Sequence, residues 1–358
     1  MKDTFSNANF PKTADGRVYH VGVKQGEVAN RIITVGDPSR AQKLAEWLDK
    51  DFPIFQHSSS RGFFTLTGKY KGVLVSIIAI GMGLPMMDFF VREVRAITDG
   101  PLIIIRFGSC GTIGKGHVGE IVVPRGSFSI TRNFDYFLDG GDEYGYESAE
   151  NVKETESDLK PGRTNKRSNT GETNLPRKRL KKEERPYILS KVVNADSEIY
   201  EMLQRQLLLH LPPDEVHTGL NASCDSFYSS QNREDENFTD NNKGLIKSVI
   251  DEYPEAESLE METFMLFHLA KCSTDVPLTR KTQAVVKNRM NKNECLNENS
   301  IRAAALMMVF ADRKTNEFVD PSQVDHLESV VGQVVLDTLI SVKSNEVCVK
   351  SEKLLSEE

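Results

Sequence analysis

Residues 101–112, PLIIIRFGSCGT, limit the fold of this chain more than any other stretch does. The apolar run, rich in isoleucine, is typical of a strand buried on both faces of a parallel sheet. Such sheets bind ligands at the carboxyl ends of their strands, so Arg106 and Ser109 are expected at a binding edge. Gly108 and Gly111 let backbone N–H groups approach a ligand closely. These groups together suit a small oxyanion such as phosphate, although a buried strand with an ordinary glycine turn explains this stretch equally well.

The bulk composition excludes several classes of protein. The chain has 358 residues, 39% of them hydrophobic, and a net charge of −7. That length allows one large α/β domain or two small ones, and the acidic balance argues against a nucleic-acid partner. No apolar run reaches the roughly 20 residues that cross a bilayer, and the N-terminal residues lack the apolar core of a secretory signal. The five cysteines form no C-x-x-C pair, so we expect neither zinc nor disulfides and a reduced, intracellular setting.

A second oxyanion signature follows the predicted strand at 31–35. Gly36 leads into Asp37, a good helix N-cap, and Pro38, a good first helical residue. A glycine turn that enters a helix N-terminus is a common anion site, and Arg40 adds a positive charge in the first turn. The sequence therefore predicts two oxyanion-binding motifs at strand ends.

The remaining elements predict a largely parallel α/β sheet. Strands are expected at 73–80, 119–124, 216–221 and 301–310. Helices are expected at 85–97 and at about 196–209, from Ser258 onwards, and after the Asp320-Pro321 cap. Strands that alternate with helices imply right-handed crossovers and parallel pairing.

Changes in composition suggest how the domain is organised. Residues 1–19 are expected to be a flexible arm, residues 20–345 the folded domain, and residues 346–358 a tail. We interpret 139–186, an acidic block followed by a basic block, as a disordered insertion, because it has too few apolar residues to order itself. Its basic cluster resembles a nuclear-import patch, but a solvated loop is the favoured interpretation. Residues 271–300 are a second polar insertion.

Two further stretches carry side chains suited to binding. Phe227 precedes Gln231 and Arg233, whose amide and guanidinium groups could hydrogen-bond the edge of a carbonyl-rich heterocycle while the ring packs on its face. Glu260 and Glu262 flank a methionine; they are either the acidic first turn of a helix or ligands for sugar hydroxyls. His20, taken alone, indicates only a surface or core histidine.

Four motifs now appear in the order of a known family: Gly36-Asp-Pro-x-x-Arg40, Arg106-x-Gly-Ser-Cys-Gly111, Phe227-Tyr-x-x-Gln231-x-Arg233 and Glu260-Met-Glu262. They resemble those of the uridine phosphorylases, within the trimeric-type nucleoside phosphorylase superfamily, over nearly the whole chain except the insertions. The resemblance implies a single α/β domain with a central mixed, mostly parallel sheet flanked by helices, the three-layer nucleoside phosphorylase/hydrolase-like fold. It also implies cleavage of uridine by phosphate to uracil and ribose 1-phosphate, a step of pyrimidine nucleoside salvage.

The resemblance assigns roles to individual residues. The implied phosphate ligands are Gly36, Arg40, Arg106, Ser109 and, from a neighbouring subunit, Arg61. The implied uracil ligands are Phe227, Gln231 and Arg233. The implied ribose ligands are Glu260, Met261, Glu262 and, across the subunit boundary, His20. Among these, Arg106, Gln231 and Arg233 are the expected catalytic residues, because they act on the charges that move during phosphorolysis.

The resemblance also predicts partners and setting. It implies a homodimer or homohexamer with shared active sites, acting in the cytoplasm or, given the basic cluster, also in the nucleus. Phosphate is a substrate, and no cofactor, metal, nucleic acid or membrane is expected. Gly62 replaces a glutamate that helps to bind potassium in bacterial relatives, which puts a potassium site in doubt. Cys110 replaces a threonine of the same relatives.

Other activities stay open at this point. A purine nucleoside phosphorylase would use an aspartate after the last core strand, near Asp312, but here Arg313 follows, as in bacterial uridine enzymes. A hydrolytic nucleosidase would not need three arginines for phosphate. An inactive nucleoside-binding relative would be suggested by loss of Arg40, Arg106 or Arg233, and all three are present.

Overall fold

The computed structural model describes residues 4–138, 185–273 and 301–343. The expected insertions at 139–186 and 271–300 and the tail at 346–358 lie almost entirely outside the described residues. Their boundaries therefore stay predictions.

Strands and helices alternate along the described residues. The strands are β1 Phe5–Ser6, β2 Lys12–Thr13, β3 Arg31–Val35, β4 Phe55–Ser58, β5 Phe64–Tyr70, β6 Val73–Ala79, β7 Leu102–Thr112, β8 Ile121–Arg132, β9 Tyr187–Leu189, β10 Val193–Asn194, β11 Val216–Cys224, β12 Ala256–Glu260 and β13 Ile301–Asp312. The helices are α1 Pro38–Ala45, α2 Leu84–Arg95, α3 Phe134–Leu138, α4 Ser197–Leu207, α5 Leu245–Glu252, α6 Thr263–Cys272 and α7 Pro321–Ser341.

One mixed sheet contains all of these strands except β1 and β2, which pair with each other. Its main path runs β10-β8-β11-β12-β7-β3-β6-β5-β4, while β9 pairs with β8 and β13 pairs with both β7 and β8. The long pairings at its centre are parallel: β3 with β6 and β7, β7 with β13, and β8 with β11. Because β13 joins β7 to β8, the strands β7, β13, β8, β11 and β12 form a closed circuit.

Helices cover both faces of the sheet. Apolar residues of α1, α4 and α7 form one buried cluster with one face, and those of α2 and α6 form a second cluster with the other. The isoleucines of β7 divide between the two clusters, as the period of two in a strand requires. The expected α/β domain with a mixed sheet between helices is confirmed.

Helix starts follow the predicted capping chemistry. Asp37 accepts hydrogen bonds from the backbone N–H groups of Ser39, at 2.7 Å, and Arg40. Asp320 accepts one from the N–H of Ser322 at 2.9 Å. In both cases proline occupies the first helical position, where no N–H partner is needed.

Two predictions about motif context are wrong. Arg106 and Ser109 do not stand where the strand ends, because β7 continues through the glycine motif to Thr112 and pairs with β13 along its whole length. Ser258 does not open a helix; it lies in β12, which pairs in parallel with β11, and the helix begins only at Thr263. The polar residues of β12 gave the helix-like sequence pattern. Side-chain hydrogen bonds offset the cost of burying these residues in a strand.

The expected flexible arm has local structure in its described part. Its two short strands pair as a hairpin, Arg17 forms an ion pair with Glu27 at 2.8 Å, and Val18 is fully buried. These contacts tie the end of the arm to the domain.

Candidate active site

Arg106 is a buried cation with a free hydrogen-bond donor. Its side chain projects from β7 and its Nη2 lies 3.1 Å from Glu260 Oε2 and also contacts the carboxylate of Glu262. Its Nη1 is buried without an acceptor among the described residues. Because buried donors are nearly always satisfied, this nitrogen indicates a place for a ligand acceptor.

Gly108 makes room for that guanidinium. A Cβ at this position would lie 1.9 Å from Arg106 Nη1 and 2.5 Å from its Cζ. The sequence predicted that this glycine allows close approach of a ligand, whereas the structure shows that it allows close approach of the arginine itself.

Glu260 is held by donors from the protein. Its Oε1 accepts hydrogen bonds from Asn221 Nδ2, at 2.6 Å, and from Ser223 Oγ. Its Oε2 accepts the N–H groups of Glu262 at 2.8 Å and Thr263 at 2.9 Å, at the start of α6. Burial alone would raise the pKa of this carboxyl, but the Arg106 charge and these hydrogen bonds hold its pKa below the ordinary value. Glu260 is therefore a fixed negative charge.

Glu262 lies two residues further on, and its pKa is shifted in the opposite direction. Its carboxylate accepts the N–H of Gly83 and contacts Arg106. Burial, reinforced by the neighbouring charge of Glu260, raises the pKa of Glu262. Met261, between the two, is half-buried.

Arg40 is the second buried arginine of this region. Its Nε donates to Glu328 Oε1 at 2.8 Å, and its Nη1 donates to the Phe107 carbonyl at 3.4 Å. Strand β3 pairs in parallel with β7, and Thr34 lies opposite Arg106. The glycine turn at Gly36, which follows β3, therefore lies beside the part of β7 that carries Arg106. Ser109 is half-buried on the same strand. The fold thus brings the two predicted oxyanion motifs to neighbouring strands.

Arg61 and His20 are held together at a different place by Tyr19. The Tyr19 hydroxyl contacts the Arg61 guanidinium, which also lies 4.8 Å from the centre of the Tyr19 ring. The same ring packs edge-on against His20, with ring centres 4.8 Å apart. His20 Nδ1 lies 2.7 Å from Glu93 Oε1, and its ring stacks on Phe89. Their role in a neighbouring subunit's site stays a prediction.

The expected base ligands form a compact cluster. Gln231 ends a short 3₁₀ turn, Ser229–Gln231, and Asn232 follows in the left-handed conformation with φ 55°. This reversal lets Arg233 Nη1 donate to Gln231 Oε1 at 2.6 Å and to the Phe227 carbonyl at 2.7 Å. The guanidinium lies 3.6 Å from the centre of the Phe227 ring, which is 46% exposed. All three predicted residues are brought together.

Arg313 joins this cluster, and sequence reasoning did not assign it there. Its Nη2 donates to the carbonyls of Gln231 and Asn232 at 3.4 and 3.3 Å, and its Nε is buried without an acceptor among the described residues. Burial, followed by the charge of Arg313, lowers the pKa of Arg233 to about 10. The signal was available, because the sequence places Arg313 directly after the last core strand.

Asp312, the residue that a purine enzyme would use, is part of a turn. Its Oδ1 accepts the N–H groups of Lys314 at 2.7 Å and Thr315 at 3.3 Å. The side chain is buried, with 2% of it exposed. The described contacts of Asp312 therefore shape the end of β13.

No group of three or more His, Cys, Asp or Glu side chains in residues 4–138, 185–273 and 301–343 is arranged to hold a metal ion. None of the helices in these ranges is long and apolar enough to cross a membrane.

The sequence is similar to curated phosphorylases. It is 34% identical to a uridine phosphorylase of Thermococcus kodakarensis over 131 residues, which cover 36% of this chain and 46% of that protein. It is 37% identical to a DeoD-type purine nucleoside phosphorylase of Oceanobacillus iheyensis over 109 residues, 30% of this chain and 45% of that protein. The chain thus spans about half the length of the curated relatives it matches.

Solved structures share the fold over nearly the whole chain. One, from a study of two uridine phosphorylases of the oomycete Phytophthora capsici, has a TM-score of 0.71 and 34% identity and covers 95% of this chain and 100% of that one. A Trypanosoma brucei nucleoside phosphorylase, 18% identical with a TM-score of 0.60, covers 93% of this chain and 100% of that one and shares the fold. Residues 30–280 match the sequence profile described as the Phosphorylase superfamily. On this match and on the shared fold, the chain belongs to the phosphorylase superfamily.

Proposed function

We propose that this chain cleaves uridine with inorganic phosphate, releasing uracil and ribose 1-phosphate. The observation that carries the proposal is the cluster of Gln231, Arg233 and Arg313, in which Arg233 donates to the side-chain amide oxygen of Gln231 and Arg313 donates to its backbone carbonyl. An amide offers both a donor and an acceptor, as the edge of a pyrimidine dione requires, and the guanidinium groups favour negative charge on that ring.

Phosphate would bind where the Gly36 turn, at the carboxyl end of β3, lies beside Arg106 on β7. Arg106, with its free Nη1, and Arg40 supply the charge, and Ser109 and the amide groups of the Gly36 turn supply further donors. In the reaction a phosphate oxygen forms a bond to the anomeric carbon while the bond from that carbon to the base nitrogen breaks. The electron pair of the broken bond stays on uracil, and positioning of the phosphate supplies much of the rate.

The departing base would be stabilised by Arg233, Arg313 and Gln231, with Phe227 packing on the nucleoside. This is preorganised electrostatic catalysis, since the charge appears on uracil only as the bond breaks. Glu262 is the better candidate for the ribose hydroxyl groups, because Glu260 already accepts two hydrogen bonds at each oxygen. Met261 would provide an apolar floor for the sugar.

The relatives support this proposal and name its alternative. The Thermococcus kodakarensis and Phytophthora capsici proteins are described as uridine phosphorylases, while other relatives are purine nucleoside phosphorylases. The turn contacts of Asp312 disfavour the purine enzyme, which would need that carboxyl at the leaving base.

The test is ultraviolet-monitored cleavage of uridine with and without phosphate, with inosine in parallel. We expect loss of uridine that requires phosphate. Cleavage of inosine alone would favour the purine enzyme, and cleavage without phosphate a hydrolytic nucleosidase. No cleavage of either by folded protein would favour an inactive nucleoside-binding relative.

Assembly, cofactors and location complete the proposal. Arg61 and His20, linked through Tyr19, would enter the active site of a neighbouring subunit, so we expect at least a homodimer and allow a homohexamer. The reaction needs phosphate as a substrate and no further cofactor. We place it in the cytoplasm, with the nucleus as a second compartment.

A further inference from the structure

Arg40 is fixed from a distant part of the chain. It lies on α1, is 5% exposed, and donates through Nε to Glu328 on α7, 288 residues later. Glu328 is itself buried, with 6% of its side chain exposed. A buried carboxylate is costly unless it is paired and hydrogen-bonded, so this pair is a specific arrangement of the fold.

The two oxygens of Glu328 have different partners. Oε1 accepts from Arg40, whereas Oε2 accepts from Lys43 Nζ at 2.7 Å. Lys43 is 44% exposed and also pairs with Asp325 at 2.5 Å, so water and a second carboxylate are available to it. Arg40, which is only 5% exposed, has far less contact with water. One oxygen of the Glu328 carboxylate thus binds Arg40, and the other binds Lys43.

The contacts of Arg40 fix the plane of its guanidinium. Nε is held by Glu328 and Nη1 by the Phe107 carbonyl, while the group lies 5.3 Å from the centre of the Phe107 ring and 5.9 Å from that of Phe310. The contacts described for the guanidinium use Nε and Nη1 and leave Nη2 for a ligand. Phe107 directly follows Arg106, so Arg40 is held beside the strand that carries the other phosphate arginine.

We propose that Glu328 is a positioning residue, which holds the Arg40 guanidinium in the orientation that binds phosphate. The inference rests on the phosphate role proposed for Arg40. Glu328 does not touch phosphate, and its negative charge opposes an anion. Its benefit is order: a long side chain that is already in one orientation loses less conformational entropy when the ligand binds.

Two substitutions separate the position of the acceptor from its charge. Glu328→Asp keeps the charge but withdraws the oxygen by one methylene, so it no longer reaches Nε in the same geometry. Glu328→Gln keeps an oxygen acceptor at the same reach and removes the charge. Asp325→Ala is the matched control, because this exposed carboxylate contacts Lys43 and not Arg40.

The measurement is calorimetric titration of each full-length variant with inorganic phosphate, without nucleoside, followed by steady-state KM values for phosphate and uridine. We expect Glu328→Asp to weaken phosphate binding about tenfold, the effect of one long side chain left unordered, and to leave the KM of uridine within about twofold. The affinity of Glu328→Gln for phosphate should stay within about threefold of the wild-type affinity, because this variant keeps the oxygen acceptor. Asp325→Ala should match the wild type.

Three results would overturn the proposal. If Glu328→Gln weakens binding and Glu328→Asp does not, Glu328 acts through its charge. If both substitutions leave phosphate binding unchanged, Arg40 needs no support. If phosphate and uridine are weakened in parallel and the melting temperature falls with them, Glu328 only joins α1 to α7.

The same data distinguish this proposal from the proposed function. Wild-type protein that binds phosphate but does not cleave uridine would refute the function while the phosphate titrations still judge Glu328. Wild-type protein that cleaves uridine, with phosphate binding insensitive to Glu328→Asp, would refute only the role of Glu328. Wild-type protein that does not bind phosphate would refute both.

Discussion

The two arginines proposed to bind phosphate, Arg40 and Arg106 (the phosphate-side arginines), differ in their neutralising partners from the two proposed to act on the base, Arg233 and Arg313 (the base-side arginines). Arg106 contacts Glu260 and Glu262, and Arg40 contacts Glu328. The described hydrogen bonds of the base-side arginines go instead to carbonyl groups and to the amide of Gln231. The first pair is buried with counter-charges, whereas the second pair is half-buried, with the two guanidinium groups near each other.

In the proposed reaction, phosphate and uracil carry negative charge at different stages, and the difference between the two pairs of arginines agrees with this. Phosphate is an anion when it arrives, so its cations would meet an anion in the ground state, and carboxylates neutralise them while the site is empty. Uracil is neutral in uridine and becomes anionic only as the bond breaks. Cations without counter-charge at the base therefore favour the transition state over the bound substrate, which is how binding energy accelerates a reaction.

The largest effect is expected from Arg106→Ala. Removing this cation leaves Glu260 and Glu262 buried without a counter-charge, so the free energy of unfolding should fall by roughly 3 to 5 kcal/mol. Uridine phosphorolysis should fall by about three orders of magnitude. Urea denaturation and initial rates check both.

Arg106→Ala combined with Glu262→Gln is the matched control for stability. It removes one of the two unpaired carboxylates and should recover part of the lost stability without recovering activity. An Arg106→Ala protein as stable as the wild type would contradict the view that these charges balance one another.

A smaller effect, confined to the chemical step, is expected from Arg233→Ala. Turnover of uridine should fall by roughly one to three orders of magnitude, because one contact to the leaving base is lost, while the KM of phosphate changes little. Stability should not fall as it does for Arg106, because the described hydrogen bonds of Arg233 go to a carbonyl and an amide oxygen and not to a carboxylate. Steady-state kinetics check the split.

Arg92→Ala serves as the control, since this exposed arginine pairs with Asp88 on the surface of α2 and should behave like the wild type. If Arg233→Ala instead raised the KM of phosphate with turnover unchanged, the two pairs of arginines would not have separate roles.

Gly108→Ala should act on the phosphate side alone. The new Cβ would lie 1.9 Å from Arg106 Nη1 and must displace the guanidinium. A misplacement of this size should raise the KM of phosphate by about ten- to a hundredfold. For thermal stability the comparison is Gly36→Ala, where the nearest atom to a new Cβ is 3.9 Å away. Equal phosphate KM values for Gly108→Ala and the wild type would mean that Arg106 does not need its observed position.

The two pairs of arginines also differ in how much of their surroundings can be predicted from the sequence. Strand β3, helix α1 with its Asp37 cap, and the cluster of Gln231 with Arg233 could be predicted, because each depends on neighbours within a few residues. The partners of the phosphate-side arginines could not. Glu328 meets Arg40 across 288 residues, and Glu260 was assigned to a helix because the hydrogen bonds that bury it in a strand come from Asn221 and Ser223 on another strand. Local pattern gives the elements, whereas long-range pairing decides which charges are neutralised.

The smallest predicted effect lies within the phosphate side and concerns pH. The pKa of Glu262 is raised, so the folded state favours its protonated form. The stability it contributes is fully present below the ordinary glutamate pKa of about 4.3 and is lost as the pH rises through the raised value. Relative to Glu262→Gln, the wild type should therefore lose stability as the pH rises through this window.

Glu260 should give the opposite slope. Its pKa is lowered, so its contribution is present above the ordinary value and is lost as the pH falls through the lowered one. Against Glu260→Gln, the wild type should thus gain stability as the pH rises from the lowered pKa to above the ordinary glutamate value of about 4.3. Urea denaturation at a series of pH values measures both slopes. Slopes of the same sign would mean that the two carboxylates share the Arg106 charge equally. Glu260 could then not be distinguished as the fixed counter-ion from Glu262 as the carboxylate available to a ligand.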